Sequence, residues 1–419
     1  MDLIFLNRFF HPDHSATSQL LTDLALDLVA RGHRVRVIAS RQGYLNAQAG
    51  LAARESVLGV EVHRVWTSRF GRVGLPGRAM DYLSFFVCAM WRLRQLARPG
   101  EVVVTMTDPP LLSVLTYWVL AGRQVLLVNW LQDLFPEVAQ ALNVRGMDGR
   151  FGRWLRRLRD RSLRGAAVNV AISERMAERV LAAGVAASRV RVIHNWADAE
   201  AIRPLAPEAN QLRREWELED VFVVGYSGNL GRAHTYATLL QAAQLLDEAG
   251  TGAAPGTGQR AGPAIPGDAA GPAAVAAGAP LRPVMFLFIG GGVQWRALRG
   301  EVERLGLRNV RFQPYQERAA LHLSLGVADV HWVSHPPGLE GLVVPSKFYG
   351  VAAAGRPVLL VGQPDGEIAR LLADYDCGRW VAEGDGAGFA AAVERLRDDA
   401  LLRGRQGANA RRLLAACRT

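Results

Sequence analysis

Residues 335–362 read HPPGLEGLVVPSKFYGVAAAGRPVLLVG, and the changes of pattern inside this run point to the fold. A glycine-flanked loop around Glu340 comes first. Pro345 and Ser346 then start a helix with Lys347 in its first turn, because proline suits the opening of a helix and not its interior. The apolar run RPVLLVG follows as a buried strand. With DVHWV immediately upstream, the order is strand, loop, helix, strand, which is the repeating unit of a parallel sheet with crossover helices.

The same alternation extends in both directions. LIFL, the amphipathic residues 18–30 and RVRVIA come first, then VVVTM, QVLLVNW, AVNVAI and VRVIHN. After Asn195 the periodicity is lost over residues 197–210, which carry Pro204 and Pro207. A second series begins at VFVVGYSG and continues through VMFLFIGG, NVRFQ, DVHWV, RPVLLVG and GRWVAEG. The expected fold class is α/β, with a Rossmann-like domain over residues 1–200, a linker over 201–216 and a second Rossmann-like domain over 217–400. A C-terminal helix over 401–419 can pack back on the first domain. Residues 250–280 are dominated by Gly, Ala and Pro and cannot bury enough apolar surface to offset ordering entropy, so a disordered insertion is expected there.

Composition excludes several classes. A chain of 419 residues that is 50% hydrophobic and 21% charged is neither disordered throughout nor a disulfide-stapled miniprotein. Cys88, Cys377 and Cys417 lie far apart without metal-ligand spacing, which points to a reducing compartment. The opening MDLIFLNRFF lacks a basic n-region, so a cytoplasmic protein is expected. The longest apolar stretches, 82–91 and 111–121, are far shorter than the roughly 20 residues a spanning helix needs. The net charge of +10 calls for an anionic partner: nucleic acid, an anionic membrane or a phosphorylated substrate.

Open α/β sheets bind ligands beyond the carboxyl ends of their strands. Three such ends stand out. Gly228-Asn229-Leu230-Gly231-Arg232 follows VFVVGYS, and its small residues let backbone amides approach an anion, with Arg232 adding a fixed charge. Gly290-Gly291-Gly292 follows VMFLFI and allows close backbone approach. In the third, Glu340 can accept paired hydrogen bonds from sugar hydroxyls. Lys347, the only lysine among 419 residues, sits where a cation opposes the helix dipole, which fits a residue facing a pyrophosphate; the other reading is a solvated lysine. Neither GxGxxG nor GxxxxGK[ST] occurs, so a nicotinamide dehydrogenase or P-loop ATPase is disfavoured.

These strand ends, in this order, resemble the C-terminal domain of family-4 glycosyltransferases of the GT-B fold, in which two Rossmann-like domains face each other across a cleft. The likeness is nearest to bacterial enzymes of O-antigen, colanic-acid and capsule assembly. In the N-terminal half it rests on FFHPDHSATSQLLTDLALDLVARGHRVRVIAS, TDPPLL, WLQDLFPEVA, AISERMAERV and VRVIHNWAD; in the C-terminal half on YSGNLGRAH, FIGGG, PSKFYG, AAGRPV and GEIARLL. The resemblance implies a nucleotide-sugar donor held by the C-terminal domain and an acceptor, a lipid-linked saccharide, held by the N-terminal one, with retention of anomeric configuration. It places Gly228, Asn229, Arg232, Gly291 and Lys347 around the donor pyrophosphate, and Glu340 and Glu367 near sugar or ribose hydroxyls. The family commonly carries two glutamates in an E-x7-E arrangement, and the position aligned with the second, five before Gly355, is Gly350 here; its second cation is missing after Arg232, a role Lys347 can take. Its N-terminal glycine pair is replaced by Ser15 and Ala16 in the acceptor loop.

Among the carboxylates, Asp133 in WLQDLFPE is the first choice for contacting the acceptor hydroxyl or reacting sugar and Asp13 the second, with a plain helix N-cap the other reading of Asp133. His11-Pro12-Asp13-His14 fits the family's opening loop better than a metal site, and Asp374-Tyr375-Asp376 follows a helix rather than a strand. No metal and no cofactor is expected. Residues 150–164 form a basic amphipathic helix in which Arg153, Trp154, Arg156 and Arg157 can meet an anionic membrane; the other reading is a helix packed on its own sheet. The apolar segment 82–91, followed by Arg92, Arg94 and Arg98, can supplement it. A nucleotide-sugar epimerase of the same fold, or a homologue with a weakened donor site, is the alternative function. Nucleic acid is not an expected partner, since no recognition helix or exposed aromatic interleaving is evident. The expected location is the inner face of the cytoplasmic membrane, with peripheral attachment.

Overall fold

The computed structural model describes residues 1–13, 15–44, 50–71, 74–250 and 281–416. The run expected to be disordered lies outside the described residues beyond Gly250. The chain forms two compact units, Met1–Trp196 with Gly338–Val344, and Ala197–Pro337 with Pro345–Thr419.

The first unit runs β1 (Asp2–Leu6), α1 (Ala16–Ala30), β2 (Arg34–Ser40), β3 (Arg54–Val57), β4 (Val60–Val65), α2 (Gly74–Leu96), β5 (Val102–Thr105), α3 (Leu112–Leu120), β6 (Leu126–Leu131), α4 (Glu137–Ala141), α5 (Arg150–Gly165), β7 (Val168–Ala171), α6 (Glu174–Ala182) and β8 (Val190–Val192). Its eight strands lie in the order β3-β4-β2-β1-β5-β6-β7-β8. All neighbours are parallel except β3 with β4, an antiparallel pair turned at Leu58 and Gly59, both at positive φ. The alternation rule misses this hairpin because RESV is polar and exposed at all but one position. From β1 the chain moves first toward β2 and then, after α2, to β5 on the other side. This reversal opens a crevice at the carboxyl ends of β1 and β5.

The second unit runs α7 (Gln211–Glu215), β9 (Phe222–Asn229), α8 (Ala237–Gly250), β10 (Val284–Gly291), α9 (Trp295–Leu305), β11 (Val310–Gln313), α10 (Leu321–Gly326), β12 (Val330–Ser334), α11 (Lys347–Ala353), β13 (Val358–Gly362), α12 (Glu367–Tyr375), β14 (Gly378–Ala382), α13 (Gly386–Asp398) and α14 (Ala400–Ala416). Its parallel sheet has the order β11-β10-β9-β12-β13-β14, so the reversal falls between β9 and β12. The strands β12 and β13 are buried at every residue, as expected where helices cover both faces. An aromatic cluster fills the core, with Tyr226 4.9 Å and Phe288 6.0 Å from Trp332.

The region 201–216 contains α7, whose Arg213 is buried, pairs with Asp329 at 2.9 Å and donates to the carbonyls of Leu218, Val221 and Val327. The C-terminal helix α14 packs against α11, α12 and α13 within the second unit.

Candidate functional site

In the second unit the paired register of β9 and β10 sets Gly228 beside Gly290 and Asn229 beside Gly291. Gly228, Gly290 and Gly292 all have φ near +130°, a backbone region that side-chain-bearing residues rarely adopt. At Gly290 a Cβ would lie 2.2 Å from the Gly228 carbonyl oxygen. The glycine sequence therefore lets two strand ends turn over side by side, and the Leu230 amide donates to the Gly291 carbonyl at 2.7 Å. Gln294 ties the following loop down by donating to the carbonyls of Gly231 and His234. On that loop Arg232 is exposed.

Lys347, the first residue of α11, reaches into this loop. Its Nζ donates to Tyr226 Oη at 2.5 Å and to His234 Nε2 at 2.7 Å, and lies 4.0 Å from the centre of the Tyr226 ring. Burial pushes the lysine well below its ordinary pKa. Burial and the neighbouring Lys347 push His234 down to about 3, so its imidazole is neutral and accepts from the lysine. Burial likewise drives Tyr226 far up, which keeps its hydroxyl protonated. The solvated-lysine reading does not hold: Lys347 is half-buried, and no carboxylate acts on it. Tyr226 and His234 were not singled out from sequence, because one reads as a core aromatic and the other as a loop histidine. Glu367, at the start of α12, is buried and pairs with Arg370 at 3.5 Å.

Glu340 belongs elsewhere. Its loop, Gly338–Val344, is part of the first unit, where Asp133 bridges Val343 and the Leu134 amide donates to Leu342 O at 2.9 Å. Arg179 donates to the Glu340 carbonyl at 2.8 Å. Gly341 is required there: it has φ +70°, and a Cβ would meet Arg179 and the Arg175 carbonyl below 3 Å. Two residues chosen as catalytic, Asp133 and Glu340, thus share one unit, and Glu340 is not grouped with Lys347.

Asp133 follows β6. The helix-cap reading fails, since α4 starts at Glu137 with Pro136 as its cap. The strand end is fixed by reciprocal bonds between Gln132 and Asn195 and by stacking of Trp130 on Trp196. Thr107 donates to the Asp133 carboxylate, whereas Oδ1 is buried without a partner. Burial, opposed by the Thr107 bond and helped by the charge of Asp108, pushes Asp133 up to about 7. Burial, opposed by Arg8 and helped by Asp13, pushes Asp108 up to about 6. Asp108 lies beyond β5 and its carbonyl accepts from the Arg8 amide at 2.8 Å, directly across the switch point. The Arg8 guanidinium lies 5.1 Å from the ring centres of both Phe9 and Tyr82. TDPPLL supported the resemblance, but its aspartate was not assigned. Asp13 is committed to the loop: its two oxygens accept from the Ser15 and Tyr44 amides. Ser15 stands at the N-cap position of α1 without a side-chain capping bond, and Ala16 is the first residue of that helix.

On α5, Arg153, Trp154 and Arg157 are exposed, with Trp154 stacked on Phe151 at 5.8 Å. Arg156 is instead held by Glu137 at 3.1 Å and by Gln140 at 2.7 Å. Leu155, Ser162 and Leu163 face inward, so the helix packs on its unit through one side and leaves an aromatic and basic side to solvent. No cluster of metal-ligating side chains occurs among the described residues, and no helix among them is long and apolar enough to cross a membrane.

Two open α/β sheets, each with a crevice at its switch point, are the architecture of the GT-B fold. Residues 17–196 match the glycosyl transferase 4-like domain family. Colanic acid biosynthesis glycosyl transferase WcaI of Escherichia coli K12 is 23% identical over 94% of this chain and 89% of its own length. The glycosyltransferase WbjE of Pseudomonas aeruginosa is 28% identical over 73% and 68%. Among solved structures, sucrose-phosphate synthase of Thermosynechococcus elongatus superposes with a TM-score of 0.72 at 16% identity, covering 99% of this chain and 94% of that one. Anabaena HepE in complex with UDP and glucose gives 0.68 at 16% identity over 99% and 95%.

Proposed function

We propose that this chain transfers a sugar from a nucleoside diphosphate to a lipid-linked saccharide at the inner face of the cytoplasmic membrane, in the assembly of a cell-surface polysaccharide. The observation that carries this reading is the Lys347, Tyr226 and His234 cluster beside the glycine-lined ends of β9 and β10. A half-buried lysine held by a hydroxyl and an imidazole rather than a carboxylate is a poor structural element and a good receptor for an anion. In the proposed complex the backbone amides around Gly228, Asn229 and Gly291, with Arg232 and Lys347, hold the diphosphate. As the bond from the anomeric carbon to the phosphate oxygen breaks, negative charge grows on that oxygen, and preorganised cations and amides stabilise it without reorganising. Glu367 contacts donor hydroxyls.

On the acceptor side, Asp133 takes the proton of the attacking hydroxyl while the new bond to the anomeric carbon forms. A carboxylate with a pKa near 7 suits this step, because it is ionised at working pH yet basic enough to accept a proton. Two similar proteins support this reading: WcaI is named for colanic acid biosynthesis, and HepE is complexed with UDP and glucose. The test is transfer of radiolabelled sugar from a panel of nucleotide sugars into a lipid extract. Label entering the organic phase with one donor supports the reading. Interconversion of nucleotide sugars without transfer would replace it with the epimerase.

A further inference from the structure

The helices α2, α3 and α5 form one layer, with α3 packed between the other two. The inner side of α2 is ordinary core, where Phe85, Ala89 and Leu93 are fully buried. Its outer side is also apolar: Met80, Leu83, Val87 and Trp91, spaced three, four and four residues apart, are each between 49% and 66% exposed. They make one stripe about 16 Å long at 1.5 Å per residue, and the same stripe continues into exposed Arg94 and Arg98. Beside it, a groove of about 560 Å³ runs between Trp66, Val87, Trp91 and Val119, rimmed by Arg92 and Arg94. Across α3 the apolar character continues at exposed Trp118, 4.7 Å beneath the Arg161 guanidinium, and ends at the stacked Phe151 and Trp154 of α5.

Charge specifies the occupant. The three helices contain two acidic residues. Asp81 is buried and bonded to Ser68 and the Phe70 and Gly71 amides, and Asp160 is half-buried against Arg159 at 2.7 Å. The exposed side of the layer therefore combines a continuous apolar stripe, three tryptophans and arginines with no exposed carboxylate. A contiguous apolar face of this kind is rare on a monomeric soluble protein. Aromatic rings suit the boundary between hydrocarbon and headgroup, and guanidinium groups suit anionic phosphates.

We infer that the α2, α3 and α5 layer is a bilayer-docking surface, in which the α2 stripe enters the headgroup and acyl boundary of an anionic membrane while the α5 arginines lie on the headgroups. This deepens the lipid-linked acceptor reading above and moves the centre of attachment from α5 to α2. It is tested without donor or acceptor, so its failure is separable from failure of the transfer reading.

The experiment is flotation of the full chain with phosphatidylcholine vesicles, with and without about one third phosphatidylglycerol. Wild type should float with the anionic vesicles at low salt and remain in solution with the neutral ones. Leu83→Ser/Val87→Ser/Trp91→Ser should weaken the partition by about tenfold or more, keep the wild-type melting temperature and keep donor binding. Arg153→Ser/Arg157→Ser should weaken it less, and mainly at low salt. Wild type left in solution with anionic vesicles, or a stripe variant that floats like wild type, overturns the inference. So does a wild-type dimer in solution that the stripe variant converts to monomer without vesicle binding, since the face would then belong to a second copy of the chain.

Discussion

Asp133 and Lys347 are two ionisable groups held away from their ordinary states in opposite directions by the same cause, burial. In the folded chain Asp133 keeps its proton to about pH 7, whereas in the unfolded chain it loses it near about 4. The native state thus binds the extra proton across that window, and stability falls as pH rises through it. Asp133→Asn should remove that slope and melt higher than wild type at about pH 8, while losing about 10²- to 10⁴-fold in turnover. In wild type, turnover should climb with pH to a plateau above about 7. A variant that keeps turnover and melts lower would exclude the carboxylate as base. For Lys347 the direction is reversed: burial holds the native pKa below the unfolded one, and bound diphosphate, which favours the charged ammonium, should raise it again. Lys347→Ala should cost about 2 to 4 kcal/mol of transition-state stabilisation, read as a fall in turnover. Lys347 stood out in the sequence because it is unique. Its partners Tyr226 and His234 did not, since nothing local separates them from other aromatics and loop histidines, and Asp108 gains its importance only from the crossing of β5 beside β1.

At the level of elements, the glycine strand ends and α11 make opposite predictions. Gly290 sits at φ +135°, where an added Cβ meets the Gly228 carbonyl. Gly290→Ala should cost about 3 kcal/mol or more by denaturant unfolding. Gly350 lies inside α11 with no positive φ, and a Cβ there makes only an ordinary 3.5 Å contact with Leu325. Gly350→Ala should therefore stabilise the chain by about 0.5 to 1 kcal/mol, because glycine gives up more backbone freedom in a helix than alanine. A loss instead would mean that the position where the family carries its second glutamate has a spatial constraint of its own. Glycine clusters at strand ends were legible as sites of close approach. The hairpin of β3 and β4 was not, because its first strand is polar and solvent-facing, and periodicity reports burial. The helix at 150–164 was legible as a helix, but which arginines stay exposed depended on Glu137 and Gln140, contributed by another element.

For the molecule as a whole, two α/β units could be read from two alternating series of strands and helices, and the break near Asn195 marks where one ends. The assignment of Gly338–Val344 to the first unit could not be read, since it depends on the distant residues Asp133, Leu134 and Arg179. The proposed transfer requires the second unit to bind a nucleoside diphosphate through Lys347. The most direct test is a thermal-shift series of wild type and Lys347→Ala against uridine, guanosine, thymidine, adenosine and cytidine diphosphates. A ligand that binds only the native state adds about 2.7 kcal/mol of stability at a hundredfold excess over its dissociation constant. A clear rise in wild-type melting temperature with one base, reduced or lost in the variant, is the expected result. A wild type unmoved by every diphosphate, or a variant shifted as far as wild type, would contradict it.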